Sequence, residues 1–212
     1  MNFIKRILTD LVYITFCAII AGVIVYYTNK NDLETQGGNY VQNIYRQRIN
    51  LSYYGAKDAL TDSIDKYIHE IAPNSCMNGL TFINECESDN IDLFFVLSQC
   101  QIESKFATTG LGAKTNSAFN VNTYEGKGDA YVDKYLHPDK SIKPYITILK
   151  DNYLVNGLTE LNLLENFVNV KGNRYATDEN YEYKLRSVYE NLLTKYDSIY
   201  KEYKKYKLLS GN

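Results

Sequence analysis

From Leu11 to Tyr27 the chain carries no charge, and only Thr15 and Gly22 interrupt the apolar character of a stretch that opens at Leu8. Twenty helical residues at about 1.5 Å each reach roughly 30 Å, one hydrocarbon thickness of a bilayer. No other segment of the sequence could do this, so the stretch separates the first part of the chain from any water-soluble core. Tyr26 and Tyr27 close it like an interfacial belt, Lys5 and Arg6 precede it, and Lys30 is offset by Asp32 and Glu34. The positive-inside bias then puts the N-terminus in the cytoplasm and the chain after about residue 30 outside it. A cleaved signal peptide is the rival reading, but Val25-Tyr26-Tyr27-Thr28 lacks the small residues of a cleavage site. A buried core helix is the other. The expected organisation is a single-pass anchor over 1–30, a polar stem over 31–55 and one folded domain over 56–212, lying on the extracytoplasmic side of the membrane.

Composition narrows the domain's role. With 45% hydrophobic residues in 212, the chain has apolar surface enough for a real core and is not a low-complexity disordered segment. A formal net charge of -2 argues against nucleic acid as a partner. There are 21 Tyr and no Trp, which suits many half-buried amphipathic faces. The four cysteines make no zinc pattern. Cys17 falls in the anchor, Cys100 reads as packing, and a disulfide is open to Cys76 and Cys86 if the domain is extracytoplasmic. The two histidines, His69 and His137, are too scattered for a metal site, so neither metal nor organic cofactor is expected.

Apolar residues at Leu60, Ile64, Tyr67, Ile68 and Ile71 keep a helical period that Pro73-Asn74 stops. The cysteine-bearing stretch after it reads as loop. Asn90 reads as the N-cap of a helix over 91–106. Residues 108–128, rich in Gly, Thr and Asn, read as loop or short hairpin. Helices follow at 142–154, 158–168 and 178–208, the last with a break expected near Asp197.

The helix over 91–106 carries the residue that looks chemical. Leu93, Val96, Leu97 and Cys100 form a stripe of 3,4 spacing, and Glu103 continues it. A carboxylate at the end of an apolar face loses hydration, so its pKa rises. A raised pKa keeps a proton available near neutrality, which a general acid requires. The pattern alone also fits an exposed helix end whose Glu pairs with a Lys.

The residues after Glu103 add to this. Gln99, Glu103, Ser104, Phe106, Gly110, Leu111, Thr115, Asn116 and Phe119 fall into a pattern that resembles the catalytic-helix block of the glucosaminidase family, bacterial and phage enzymes with a lysozyme-like fold that cut peptidoglycan. A second block, Arg174-Tyr175-Ala176-Thr177-Asp178-Glu179-Asn180-Tyr181 followed by Lys184-Leu185, resembles that family's C-terminal signature, with Glu179 where proline is usual. The blocks lie in the family's order, about 70 residues apart, and the likeness covers roughly residues 56–200.

The resemblance implies a mainly α fold: a lysozyme-like glucosaminidase domain with a small β-lobe, here preceded by one transmembrane helix. It implies an endo-β-N-acetylglucosaminidase that acts on peptidoglycan glycan strands. Glu103 would be the general acid, and Tyr175 would face it across the cleft. A second carboxylate would come from the abbreviated β-lobe, with Glu125 chosen over Asp129 and Asp133. The substrate's own 2-acetamido group is the alternative. Phe119, Asn120 and Tyr124 would line the substrate side, although core packing is the favoured role for Phe119 and the alternative for Tyr124. Asp178 would support the site by capping the last helix. Two rivals remain open: a muramidase or lytic transglycosylase on the same polymer, and a catalytically degenerate module that binds glycan or serves as a structural part of a virion or envelope machine.

Overall fold

Most of the apolar periods become helices in the computed structural model, which describes residues 33–120 and 134–211. In chain order these are α1 Leu33–Ile71, α2 Gly79–Asp89, α3 Leu93–Ser104 and α4 Gly110–Thr115; after a 3-10 turn at Pro138–Ser141 come α5 Ile142–Asn152, α6 Glu160–Leu163 and α7 Tyr181–Ser210. Among the described residues there is no strand, only an isolated antiparallel bridge between Val168 and Arg174. The mainly α expectation therefore stands. The expected β-lobe around Tyr124, Glu125, Asp129 and Asp133, and the apolar stretch Leu8–Tyr27 with Cys17, lie outside the described residues. No described helix is long and apolar enough to cross a membrane.

The larger compact unit is Gly55–Lys205, and the rest of the described chain belongs to a smaller one. At the centre of the larger unit lies α3, with every residue from Leu93 to Cys100 buried. The sequence suggests a one-sided stripe, whereas the helix is enclosed on all sides, as a helix apolar around its circumference must be. It packs against α2 and α4, and α2 also packs against α5. In α1, Leu60, Ile64, Tyr67 and Ile68 are buried at the expected period, while Ile71 stays exposed and Ala72 takes the inward place. In α7 the buried residues are Tyr181, Leu185, Tyr189, Leu192, Tyr196 and Tyr203, one stripe along the helix.

Four local expectations are corrected. The stem and the first domain helix are one helix, since no proline falls between residues 33 and 72 and a glycine such as Gly55 costs about 1 kcal/mol without ending a helix. The stretch read as loop around Cys86 is α2: Asn78 caps it by accepting the Thr81 N–H at 2.9 Å, and Phe82, Ile83 and Cys86 face inward. Asn90 is not the N-cap of α3 but the left-handed C-cap of α2 (φ 54°); Asp92 caps α3, accepting the Phe95 N–H at 2.9 Å. In α7 there is no break at Asp197, whose carboxylate pairs one turn on with Lys201 at 2.7 Å. Cys76, Cys86 and Cys100 are all free: α2 turns Cys86 into the core, Cys76 is exposed, and the Cys100 Sγ lies 3.7 Å from the Met77 Sδ.

Candidate active site

The C-terminal end of α3 is built by the residues just after Glu103. Lys105, Phe106 and Ala107 all take left-handed backbone angles (φ 47°, 56° and 62°), an arrangement that costs side-chain-bearing residues free energy and persists only where the surroundings impose it. Two groups impose it here. The buried Ser104 hydroxyl accepts the Ala107 N–H at 2.8 Å and donates to the Ala118 carbonyl at 2.7 Å. The Phe106 ring is fully buried, edge-on to Tyr67 and Phe82, and its carbonyl accepts the Ser75 hydroxyl at 2.8 Å. The returning α4 then passes so close that a Cβ on Gly112 would lie 2.5 Å from the Ser104 Cβ. Glycine at 112 is a requirement of this approach.

The folded-back segment delivers Asn120. Its Nδ2 donates both to the Glu103 backbone carbonyl (2.9 Å) and to the Glu103 Oε2 (3.1 Å). From α7, the Tyr181 hydroxyl donates to Glu103 Oε1 at 2.5 Å. From the loop before α7, the Tyr175 hydroxyl hydrogen-bonds the same carboxyl. Three donors on three segments thus converge on one half-buried acid. Burial pushes the Glu103 pKa up, the donors pull it down by favouring the carboxylate, and burial wins. Among the described residues, no acidic side chain is among the groups acting on it.

Tyr175 is placed by the turn before it. Its N–H donates to the Phe167 carbonyl at 2.8 Å, and its ring stacks on Phe167 with centroids 4.4 Å apart. Glu182, in the first turn of α7, accepts from the Phe167 N–H (3.2 Å) and the Arg174 guanidinium (2.6 Å), which ties this turn to the helix that carries Tyr181. Tyr175 and Tyr181 lie 5.4 Å apart, centroid to centroid. Burial out of water, with the Glu103 carboxyl and each other as neighbours, holds both phenols well above their usual pKa, so both remain donors.

The structure thus brings Glu103, Tyr175 and Asn120 together. Asn120, expected to meet substrate, holds the acid itself. Phe119 is 1% exposed and stacks on Tyr145 at 4.0 Å, so it offers no face to a sugar and takes the packing role favoured for it over the substrate-side one. Asp178 is exposed, with Oδ1 accepting the Asn180 N–H (2.9 Å) and Oδ2 paired with Lys184 (2.5 Å), so its carboxylate serves the start of α7. Tyr124 and Glu125 lie outside the described residues. Sequence reasoning passed over Tyr181 as a site residue, although it stands in the C-terminal block six positions after Tyr175. Among the described residues no group of His, Cys, Asp and Glu is arranged to hold a metal ion.

A family model described as mannosyl-glycoprotein endo-beta-N-acetylglucosaminidase matches residues 79–194, more than half of the chain. The chain belongs to the glucosaminidase family. Membership makes the matched domain one of a glycoside-hydrolase family. Glu103, Asn120, Tyr175 and Tyr181 all lie within the glucosaminidase span and within the Gly55–Lys205 unit. A search of curated proteins finds no match.

Proposed function

We propose that this glucosaminidase-family chain is a peptidoglycan hydrolase that cleaves the β-1,4 bond after N-acetylglucosamine, with Glu103 as its general acid. The observation that carries this is the half-buried Glu103 carboxyl, raised in pKa by lost hydration yet surrounded by three donors. The two halves of that description serve the two halves of a proton transfer. Desolvation keeps the proton on Glu103 until a glycosidic oxygen arrives. As the anomeric C–O bond breaks, the proton passes to the leaving oxygen, and Tyr181, Asn120 and Tyr175 stabilise the carboxylate left behind. Water then adds at the anomeric carbon and returns a proton to Glu103, which closes the cycle.

The cation developing at the anomeric carbon needs a partner on the opposite face. Glu125 is the proposed carboxylate, and attack by the substrate's own acetamido oxygen is the route that needs none. We further propose that the Leu8–Tyr27 stretch tethers the domain on the extracytoplasmic side of a membrane, where its polymer lies.

The deciding experiment is digestion of purified peptidoglycan followed by mass spectrometry of the fragments. Reducing-end N-acetylglucosamine is the expected product. Reducing-end N-acetylmuramic acid would make the enzyme a muramidase, and anhydro-muramic ends a lytic transglycosylase. Cell-wall binding without cleavage by wild type and Glu103→Gln alike would leave a binding module.

A further inference from the structure

Gln99 lies one helical turn before Glu103, in the fully buried part of α3. Both ends of its amide are committed. The Tyr145 hydroxyl donates to Gln99 Oε1, and Gln99 Nε2 donates to the Tyr181 hydroxyl oxygen at 2.6 Å. A phenol has one proton. Since the Tyr181 oxygen receives the amide N–H, its own proton is left for Glu103 Oε1, 2.5 Å away.

The buried end of this chain sets its direction. Tyr145, on α5, is 2% exposed and stacked beneath Phe119, and Gln99 is the acceptor its hydroxyl has. Turning the amide over would present NH2 to Tyr145 and strand that phenolic proton in the core, where a buried donor without a partner is costly. It would also draw the Tyr181 proton away from Glu103 toward the amide oxygen. The arrangement that satisfies every proton is the one in which Tyr181 donates to the acid.

We propose that Gln99 is a positioning residue of this site: oriented from the core by Tyr145, its amide commits the Tyr181 hydroxyl proton to Glu103 Oε1. Asn120 holds Oε2 from one side through a single N–H. Only the transfer to a glycan rests on the glycosidase reading; the direction of the hydrogen bonds does not.

The titratable groups around Glu103 are Tyr181 on α7, Tyr175 on the preceding loop, Tyr145 on α5 and Cys100 on α3 itself, with Tyr153 edge-on behind Tyr175. All are neutral in the range where a carboxyl titrates. Shifts in the Glu103 titration therefore report its donors.

The test is that titration, read by carboxyl carbon NMR on the full-length chain and assigned by loss of the signal in Glu103→Gln. Tyr181→Phe removes a donor to the carboxylate and is expected to raise the Glu103 midpoint by about one pH unit. Gln99→Met is expected to raise it by less, and the double variant to match Tyr181→Phe alone, because Gln99 acts only through Tyr181. Tyr145→Phe removes a hydroxyl that makes no hydrogen bond to Glu103. It frees the amide to turn, and is likewise expected to raise the midpoint. An unmoved midpoint in Gln99→Met and Tyr145→Phe, or additive shifts in the double variant, would overturn the proposal. Should Gln99→Met not fold, Tyr145→Phe alone decides by the same criterion. In wild type and variants that cleave peptidoglycan, the basic limb of kcat/KM should move in the same order. A wild type inactive on peptidoglycan would sink the glycosidase reading while leaving the titration result intact.

Discussion

Two half-buried carboxylates stand near opposite ends of the same helix, and each accepts a tyrosine hydroxyl from α7. At the N-terminal end of α3, Asp92 accepts from Tyr189 at 3.3 Å; at the C-terminal end, Glu103 accepts from Tyr181 at 2.5 Å. Asp92 stands where the helix presents unpaired N–H groups, and it spends Oδ1 on the Phe95 N–H. Its own N–H is taken by Glu160 Oε1 at 2.9 Å. Glu103 stands in the last turn, where the unpaired backbone groups are carbonyls and the helix dipole disfavours negative charge. Its donors come from side chains on other segments. Asp92 is served in part by its own helix, as a cap is, whereas Glu103 is served wholly by side chains of other segments, against the local dipole and out of water, which suits the general-acid role proposed for it.

The largest contrast should appear in activity. Glu103→Gln is expected to lower turnover on peptidoglycan at least about a hundredfold while the domain stays folded. Asp92→Ala is expected to leave turnover per folded molecule unchanged and to lose about 1 kcal/mol of stability, the usual worth of an N-cap. Turbidity loss of a cell-wall suspension, set beside thermal melts of both variants, checks the pair. If Asp92→Ala disabled the folded enzyme, or Glu103→Gln collapsed the fold, the division of labour between the two ends would be wrong.

The second contrast is in tolerance of packing change. The C-terminal end of α3 depends on the close approach at Gly112, where a Cβ would collide with Ser104. Gly112→Ala should cost about 1–3 kcal/mol, the usual range for overpacking, and should pull the Ser104–Ala118 hydrogen bond apart. That bond positions the segment bearing Asn120, so activity should fall more than the melting temperature alone explains. Gly110, by contrast, has open space around its Cβ position but a left-handed φ of 60°. Gly110→Ala should therefore destabilise through the backbone and leave the activity of the folded fraction alone. Equal loss of specific activity in both variants would remove the special role of the 112 contact.

Glu103 stood out in the sequence because it ends a stripe through Leu93, Val96, Leu97 and Cys100, yet that pattern fits an exposed helix end as well, and it is the family-like block after Glu103 that tips the reading. Tyr175 entered through its motif and not through any period. Tyr181 was hidden in plain sight, since an aromatic at the start of a Tyr-rich helix reads as one more core residue. The i,i+4 spacing of Gln99 and Glu103 is the signal that could have paired them. Tyr145 gives no signal at all, because its hydroxyl meets Gln99 only after α5 has folded across α3. The same limit explains α2, where the caps Asn78 and Asn90 and the inward trio Phe82, Ile83 and Cys86 are present, but a stretch rich in Asn, Ser and Cys reads as loop. In α4, six residues from Gly110 to Thr115 are helical against weak intrinsic propensity, because tertiary contact with α3 outweighs it.

The smallest expected effect is the most direct measure of what separates Glu103 from an ordinary acid. A carboxyl whose pKa is higher in the folded state than in the unfolded chain binds its proton more tightly when folded. Between the ordinary carboxylate range and the raised folded value, the native state then holds more protons than the unfolded state. Its stability is therefore full at low pH and declines as pH rises through that window. Paired carboxylates such as Asp89, held down to about 2 by Lys143 and Lys150, act in the opposite sense, losing stability only in acid. Replacing Glu103 by Gln deletes one declining contribution and leaves the others. The difference in melting temperature, variant minus wild type, should thus grow as pH is raised above the ordinary carboxylate range and then level off above the folded pKa. A difference that stays flat across that range would mean that Glu103 titrates like a solvated side chain, and the distinction between the two ends of α3 would lose its electrostatic basis.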